Sequence, residues 1–137
     1  MYFWRWWLLY RRMEKWFKKW KRNKYYSNGN IKYDGVFVND KREGKGKYIF
    51  ENGEYYIGQW KNWLRNGKGT DYYPNGNIEY EVDNVNDKRE GNGKYIWENG
   101  EYYIGQWKND LRNGKGIVYY PNGTITKSII KITPQML

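Results

Sequence analysis

Residues 39–78, NDKREGKGKYIFENGEYYIGQWKNWLRNGKGTDYYPNGNI, recur 47 residues later at 86–125 as NDKREGNGKYIWENGEYYIGQWKNDLRNGKGIVYYPNGTI, with six of forty positions changed. A finer period runs inside this block. Tyr33, Tyr56, Tyr80 and Tyr103 are spaced 23, 24 and 23 residues apart, and Gly44, Gly67, Gly91 and Gly114 keep that spacing. Gly53, Gly76, Gly100 and Gly123 keep it too. Self-similarity at a short fixed period marks an architecture in which each unit buries its apolar face against the next. The units fall at about 31–53, 54–76, 77–100 and 101–123, and Tyr25 to Gly29 form a partial unit before them.

One unit, EYYIGQWKNWLRNGKGTDYYPNG at 54–76, reads as a β-hairpin. Tyr56, Gly58 and Trp60 alternate onto one face, with Tyr55, Ile57 and Gln59 on the other. Lys61 to Asn66 read as a polar loop, a second strand runs from about Gly67 to Tyr73, and Pro74-Asn75-Gly76 turns the chain. Glycines recurring in register with aromatics suggest rings lying flat over bare backbone on the neighbouring strand. A lone hairpin cannot bury such a face, so the pattern predicts an all-β repeat, an elongated twisted antiparallel sheet of stacked hairpins.

Composition agrees and excludes much chemistry. The 137 residues hold 16 Tyr, 9 Trp and 16 Gly but no Cys and no His. Disulfides, zinc fingers, a thiol nucleophile and a Ser-His-Asp triad are therefore out of reach. Ser27 and Ser128 are the only serines, and neither sits in a nucleophile-elbow context. Glu43, Glu51 and Glu54 recur as Glu90, Glu98 and Glu101, and carboxylates copied with a repeat serve the repeat rather than a singular acid/base pair. The Gly-x-Gly motifs lack the following helix and Lys-Ser/Thr of a phosphate loop. The expectation is a protein without catalytic, cofactor or metal-binding residues.

The net charge of +10 is unevenly spread: residues 1–24 carry nine cations and one anion, +8, leaving 16 cations and 14 anions, +2, in the other 113 residues. That segment, MYFWRWWLLYRRMEKWFKKWKRNK, predicts one N-terminal basic amphipathic α-helix over about 4–22. Trp6, Leu9, Tyr10, Met13, Trp16, Phe17 and Trp20 fall within an arc of roughly 120°, and Trp4 and Trp7 extend the apolar surface of the first turn. Arg11, Arg12, Lys15, Lys18, Lys19 and Arg22 lie opposite. Arg5 interrupts the opening apolar run, and neither a bilayer span nor a secretory signal is expected. Two uses compete: an interfacial helix on an anionic membrane surface, and docking on protein. A nucleic acid partner has weaker support, since groove-reading residues are lacking. Residues 126–137 read as a capping strand and tail, Ile125, Ile129, Ile130 and Ile132 marking a last strand before Pro134.

Tyr-x-Gly-x-Trp, a polar loop, Gly-x-Gly and a closing Asn-Gly resemble the MORN repeat (membrane occupation and recognition nexus). Tyr56-Gly58-Trp60 with Gly67-Gly69 and Tyr103-Gly105-Trp107 with Gly114-Gly116 carry the motif, and Tyr33-Gly35-Phe37 with Gly44-Gly46 is a variant. Tyr80-Val82-Asn84 departs from it. The likeness covers about 25–125, and Tyr-Tyr-Pro-Asn-Gly-Asn-Ile also resembles the YwqK-like bacterial variant. The resemblance implies a non-enzymatic scaffold or interaction module, cytoplasmic and peripheral to membrane or cytoskeleton, and the charge of residues 1–24 makes the helix the expected anchor. Its alternative is a soluble protein-binding subunit or antitoxin-like inhibitor whose helix docks on protein. Tyr56, Trp60, Trp63, Tyr103 and Trp107 are the candidate partner-binding aromatic face. Trp63 stands out because its copy is Asp110. Exposed sheet ends leave homodimerisation open.

Overall fold

The computed structural model describes Arg5 and residues 19–131. Ten strands follow one another: β1 (Lys19–Tyr25), β2 (Ile31–Val38), β3 (Lys41–Ile49), β4 (Tyr55–Lys61), β5 (Leu64–Tyr72), β6 (Ile78–Val85), β7 (Lys88–Ile96), β8 (Tyr102–Lys108), β9 (Leu111–Tyr119) and β10 (Ile125–Ile130). They form a single open antiparallel sheet in chain order, so β1 and β10 are its two edges. Strands pack mainly against their immediate sheet neighbours, as stacked hairpins must.

Two kinds of connection alternate. After β2, β4, β6 and β8 the chain turns through two residues, Asn39-Asp40, Asn62-Trp63, Asn86-Asp87 and Asn109-Asp110, all at positive φ. Two left-handed central residues make the type I′ turn whose twist matches that of a hairpin, and Asn and Asp tolerate it best among side-chain-bearing residues. The polar loop expected over Lys61 to Asn66 is therefore too long, because Leu64, Arg65 and Asn66 already belong to β5. The other connections are five-residue Asn-Gly loops. In Tyr73-Pro74-Asn75-Gly76-Asn77, the Tyr73 N–H donates to Asn77 O at 2.9 Å and the Gly76 N–H to Tyr73 O at 2.9 Å. The Asn77 N–H donates to Asn75 Oδ1 at 2.9 Å, and four further loops repeat this pattern.

The chain's N-terminal region needs one correction. Residues 19–22, expected as the end of the helix, and Asn23 and Lys24 beyond them, belong to strand β1, with Trp20 opposite Phe37 and Arg22 opposite Gly35. Pairing with β2 satisfies a row of backbone groups that would otherwise end the sheet, and this outweighs helical periodicity. The rest of the expected helix lies outside the described residues.

The core is one ring deep. Tyr56 lies flat on its own sheet: a Cβ added at Gly58 or Gly69 would meet the Tyr56 ring. Tyr33 covers Gly35 and Gly46, and Tyr103 covers Gly105 and Gly116, in the same way. Trp60 then stands edge-on to both Tyr56 and Tyr33, at centroid distances of 5.4 and 5.5 Å. The result is two clusters, Tyr33, Phe37, Tyr56 and Trp60 in one, Tyr80, Val82, Tyr103 and Trp107 in the other.

Candidate functional site

The face that carries these rings also presents the groups a partner would meet. Tyr56 and Tyr103 are fully buried, and Trp60 and Trp107 nearly so. They form the covered layer, whereas Trp63 is 40% exposed. Above the covered layer sit half-exposed aromatics that sequence reasoning passed over. Tyr48 packs edge-on to Phe50 at 4.9 Å, and Tyr95 to Trp97 at 4.9 Å. Phe50 and its copy Trp97 open the five-residue loops, and their recurrence at one repeat position was the available signal.

Among the helix residues named from the sequence, Trp4, Trp6, Trp7, Leu9, Arg11, Arg12, Met13, Lys15, Trp16, Phe17 and Lys18 lie outside the described residues. Lys19, Trp20 and Arg22 belong to β1. Trp20 is 52% exposed, and Arg22 stacks 4.6 Å over the Phe37 ring while donating to Asp40 Oδ1 at 2.9 Å. β1 thus brings cations and an indole to the aromatic face.

Arginines are the other component. Arg42 lies with its guanidinium 4.5 Å from the Trp60 ring, 5.0 Å from Tyr48 and 5.4 Å from Trp63. Arg89 lies 3.6 Å over Tyr80. Each charge is thereby held against ring faces. One copied pair of carboxylates is engaged in turns: Glu43 accepts the Asn62 N–H at 3.1 Å, and Glu90 the Asn109 N–H at 3.0 Å.

A polar seam divides the face. Val82 stands where the other units have glycine, and buried Asn84 where they have Trp or Phe. Neither amide atom of Asn84 has a partner. Beside them Asp71, also buried, pairs with Arg65 at 3.5 Å. Burial pushes the Asp71 carboxyl upward and the Arg65 charge pulls it back. Burial likewise raises the Tyr33 and Tyr56 hydroxyls to about 12.

A hollow of about 610 Å³ lies between the first two Asn-Gly loops, but its lining holds one charged side chain, Glu51. Smaller hollows flank Arg42 and Trp63 on the aromatic face. No helix among the described residues is long and apolar enough to cross a membrane.

An open single-layer sheet of stacked hairpins, its rings laid over strand glycines, is the structure of a repeat-type interaction module. The sequence model of the MORN repeat matches residues 33–55, 56–78, 85–102 and 103–125, and the chain belongs to that family. The third match omits residues 79–84, where Val82 and Asn84 break the motif. A search of curated proteins finds no match to the chain.

Proposed function

We propose that the chain is a non-enzymatic interaction module that holds a protein partner on its aromatic face. The observation carrying this reading is the half-exposed second layer of Tyr48, Phe50, Trp63, Tyr95 and Trp97, which no described element covers. Rings with polar rims beside stacked arginines are the composition of protein contact surfaces. The outer edges of β1 and β10 are where a second copy would add. The test is to pan a displayed peptide library against the full chain and footprint the enriched peptides by carbene labelling. Protection of Tyr48, Phe50 and Trp63 is expected. Protection confined to residues 1–18, or no enrichment, overturns the reading.

Charge favours a second role, attachment to an anionic membrane or cytoskeletal surface through the N-terminal segment. Residues 1–18 carry Arg5, Arg11, Arg12, Lys15 and Lys18 against Glu14, net +4, together with Trp4, Trp6, Trp7 and Trp16. Each cation near an anionic surface contributes about 1 kcal/mol, and interfacial indoles add to it. Since β1 begins at Lys19, deletion of 1–18 leaves every described strand in place. Co-sedimentation with phosphatidylserine vesicles should need residues 1–18 and weaken with salt. Equal binding by both chains would remove the anchor.

A further inference from the structure

The four type I′ turns each lean on the arginine of the neighbouring hairpin, and one of them lacks the group the others use. Asp40 Oδ1 accepts from the Arg22 guanidinium at 2.9 Å. Asp87 Oδ1 accepts from the Arg65 backbone N–H at 2.6 Å and from Nε at 3.4 Å, and Asp110 Oδ1 accepts from the Arg89 backbone N–H at 2.9 Å. At the second turn the residue is Trp63. Its N–H reaches the Arg42 carbonyl at 3.2 Å, but it offers Arg42 no carboxylate. Arg42 makes no ion pair among the described residues, and its buried Nε has no acceptor.

Rings hold this guanidinium in place without neutralising it. Hollows of about 260 and 200 Å³ open on either side of Arg42. The first adds Lys24 and Lys32 to its lining and contains no carboxylate. The second adds Arg65 and Asp87, which pair with each other at 3.4 Å. A cationic groove with aromatic walls is complementary to an acidic side chain flanked by an apolar one.

We propose that the groove between Arg42 and Trp63 binds a Glu or Asp side chain from an acidic segment of the protein partner, its carboxylate supplying to Arg42 what Asp40 and Asp87 supply to the guanidinium groups of Arg22 and Arg65. The inference rests on the reading of the aromatic face as a protein-binding surface and names the chemistry of what binds there. The guanidinium fork matches a carboxylate in two parallel hydrogen bonds. Arg42 is reached through a ring-lined depression, which suits an extended side chain better than a flat bilayer surface.

The probe is an acetylated, amidated Gly-Glu-Phe-Glu-Gly peptide and its Gln counterpart, titrated calorimetrically into the full chain at ~0.15 M salt, an ionic strength that screens exposed charges beyond ~8 Å. The Glu peptide should bind at least about ten-fold more tightly, a difference of about 1.4 kcal/mol. Trp63→Asp, which takes the residue its copy carries at Asp110 and gives this turn the carboxylate that Asp40 and Asp87 turn on Arg22 and Arg65, should cost the Glu peptide about ten-fold by closing Arg42 internally, and Arg42→Gln should do the same. Because the copy folds with Asp at that position, Trp63→Asp keeps the test valid if Arg42→Gln unfolds.

Equal affinity for the two peptides, or unchanged affinity in Trp63→Asp, overturns the proposal. Arg42-dependent binding of phosphatidylserine vesicles without binding of the Glu peptide overturns it in favour of lipid. If library peptides without acidic residues footprint on Tyr48 and Phe50, the groove assignment fails while the aromatic face stands. If no peptide protects that face, both fail.

Discussion

At the scale of single residues, this fold rests on tyrosines lying over absent side chains. A Cβ at Gly58 would run into both the Tyr56 ring and the Gly69 backbone, so neither side can yield without opening the sheet. Gly58→Ala should destabilise by about 3 kcal/mol, the upper end of overpacking costs, with loss of cooperative melting in circular dichroism as the readout. Alanine at Gly29, whose added Cβ would meet nothing within 4 Å, pays only for its left-handed backbone and should cost about 1 kcal/mol. The same burial makes the sheet sensitive to base. The Tyr33 and Tyr56 hydroxyls are raised to about 12, and Tyr56 Oη donates to Gln59 O at 3.1 Å. In the unfolded chain a tyrosine ionises near ~10. Below that pH both states are neutral and stability is complete. Above it the unfolded state releases protons that the folded state retains, so stability falls from about pH 10 through 12. The midpoint temperature should drop over this range, and the drop should shrink in Tyr56→Phe. A slope unchanged by that substitution would place the titration elsewhere.

Hairpins and turns are the next scale, and here the sequence was unevenly legible. Asn-Gly names its loop directly: each Asn side chain caps the backbone two residues on, as Asn75 Oδ1 does for the Asn77 N–H at 2.9 Å. Asn75→Ala should cost about 1 kcal/mol, a fall of about 2–4 °C in Tm, because one local hydrogen bond is lost with no burial changed. The two-residue turns hide their signal. Asn62-Trp63 pairs a good left-handed residue with a poor one, so the run to Asn66 looked like a longer loop although the strand had resumed at Leu64. Residues 19–24 show the opposite failure. Their alternation, Trp20, Arg22 and Lys24 on one side, satisfies a strand as well as the tail of an amphipathic helix. Only the vacant edge of β2 decides between them, and that edge is a tertiary fact. The candidate site was half legible for a related reason. Trp63 was visible as a residue its copy lacks, whereas Arg42 matters because of a missing partner across the sheet.

Across the whole sheet, strands bond only to their neighbours, so stability is close to a sum over units plus the interfaces between them. One interface is unlike the rest. Between the two aromatic clusters lie Asp71 and Asn84, beside Val82 at the margin of the second, and neither Asn84 amide atom has a partner. Each unmade hydrogen bond of this kind costs about 1–3 kcal/mol. The coupling between the halves is therefore the weakest in the array, and the clusters should open separately. Native-state hydrogen exchange should resolve two cooperative units with their boundary at β5 and β6, and the calorimetric enthalpy should exceed the van't Hoff value. The double substitution Val82→Gly with Asn84→Trp restores the motif carried by Tyr56-Gly58-Trp60. Tyr80 gains a bare backbone to lie on, since Val82 is what a Cβ at Gly93 would strike, and an indole replaces the unpaired amide. The variant should melt in a single transition at higher temperature, with exchange protection equalised across β5 and β6. Two transitions persisting in that variant would place the weak coupling in the Arg65–Asp71 pair, which the substitution leaves untouched.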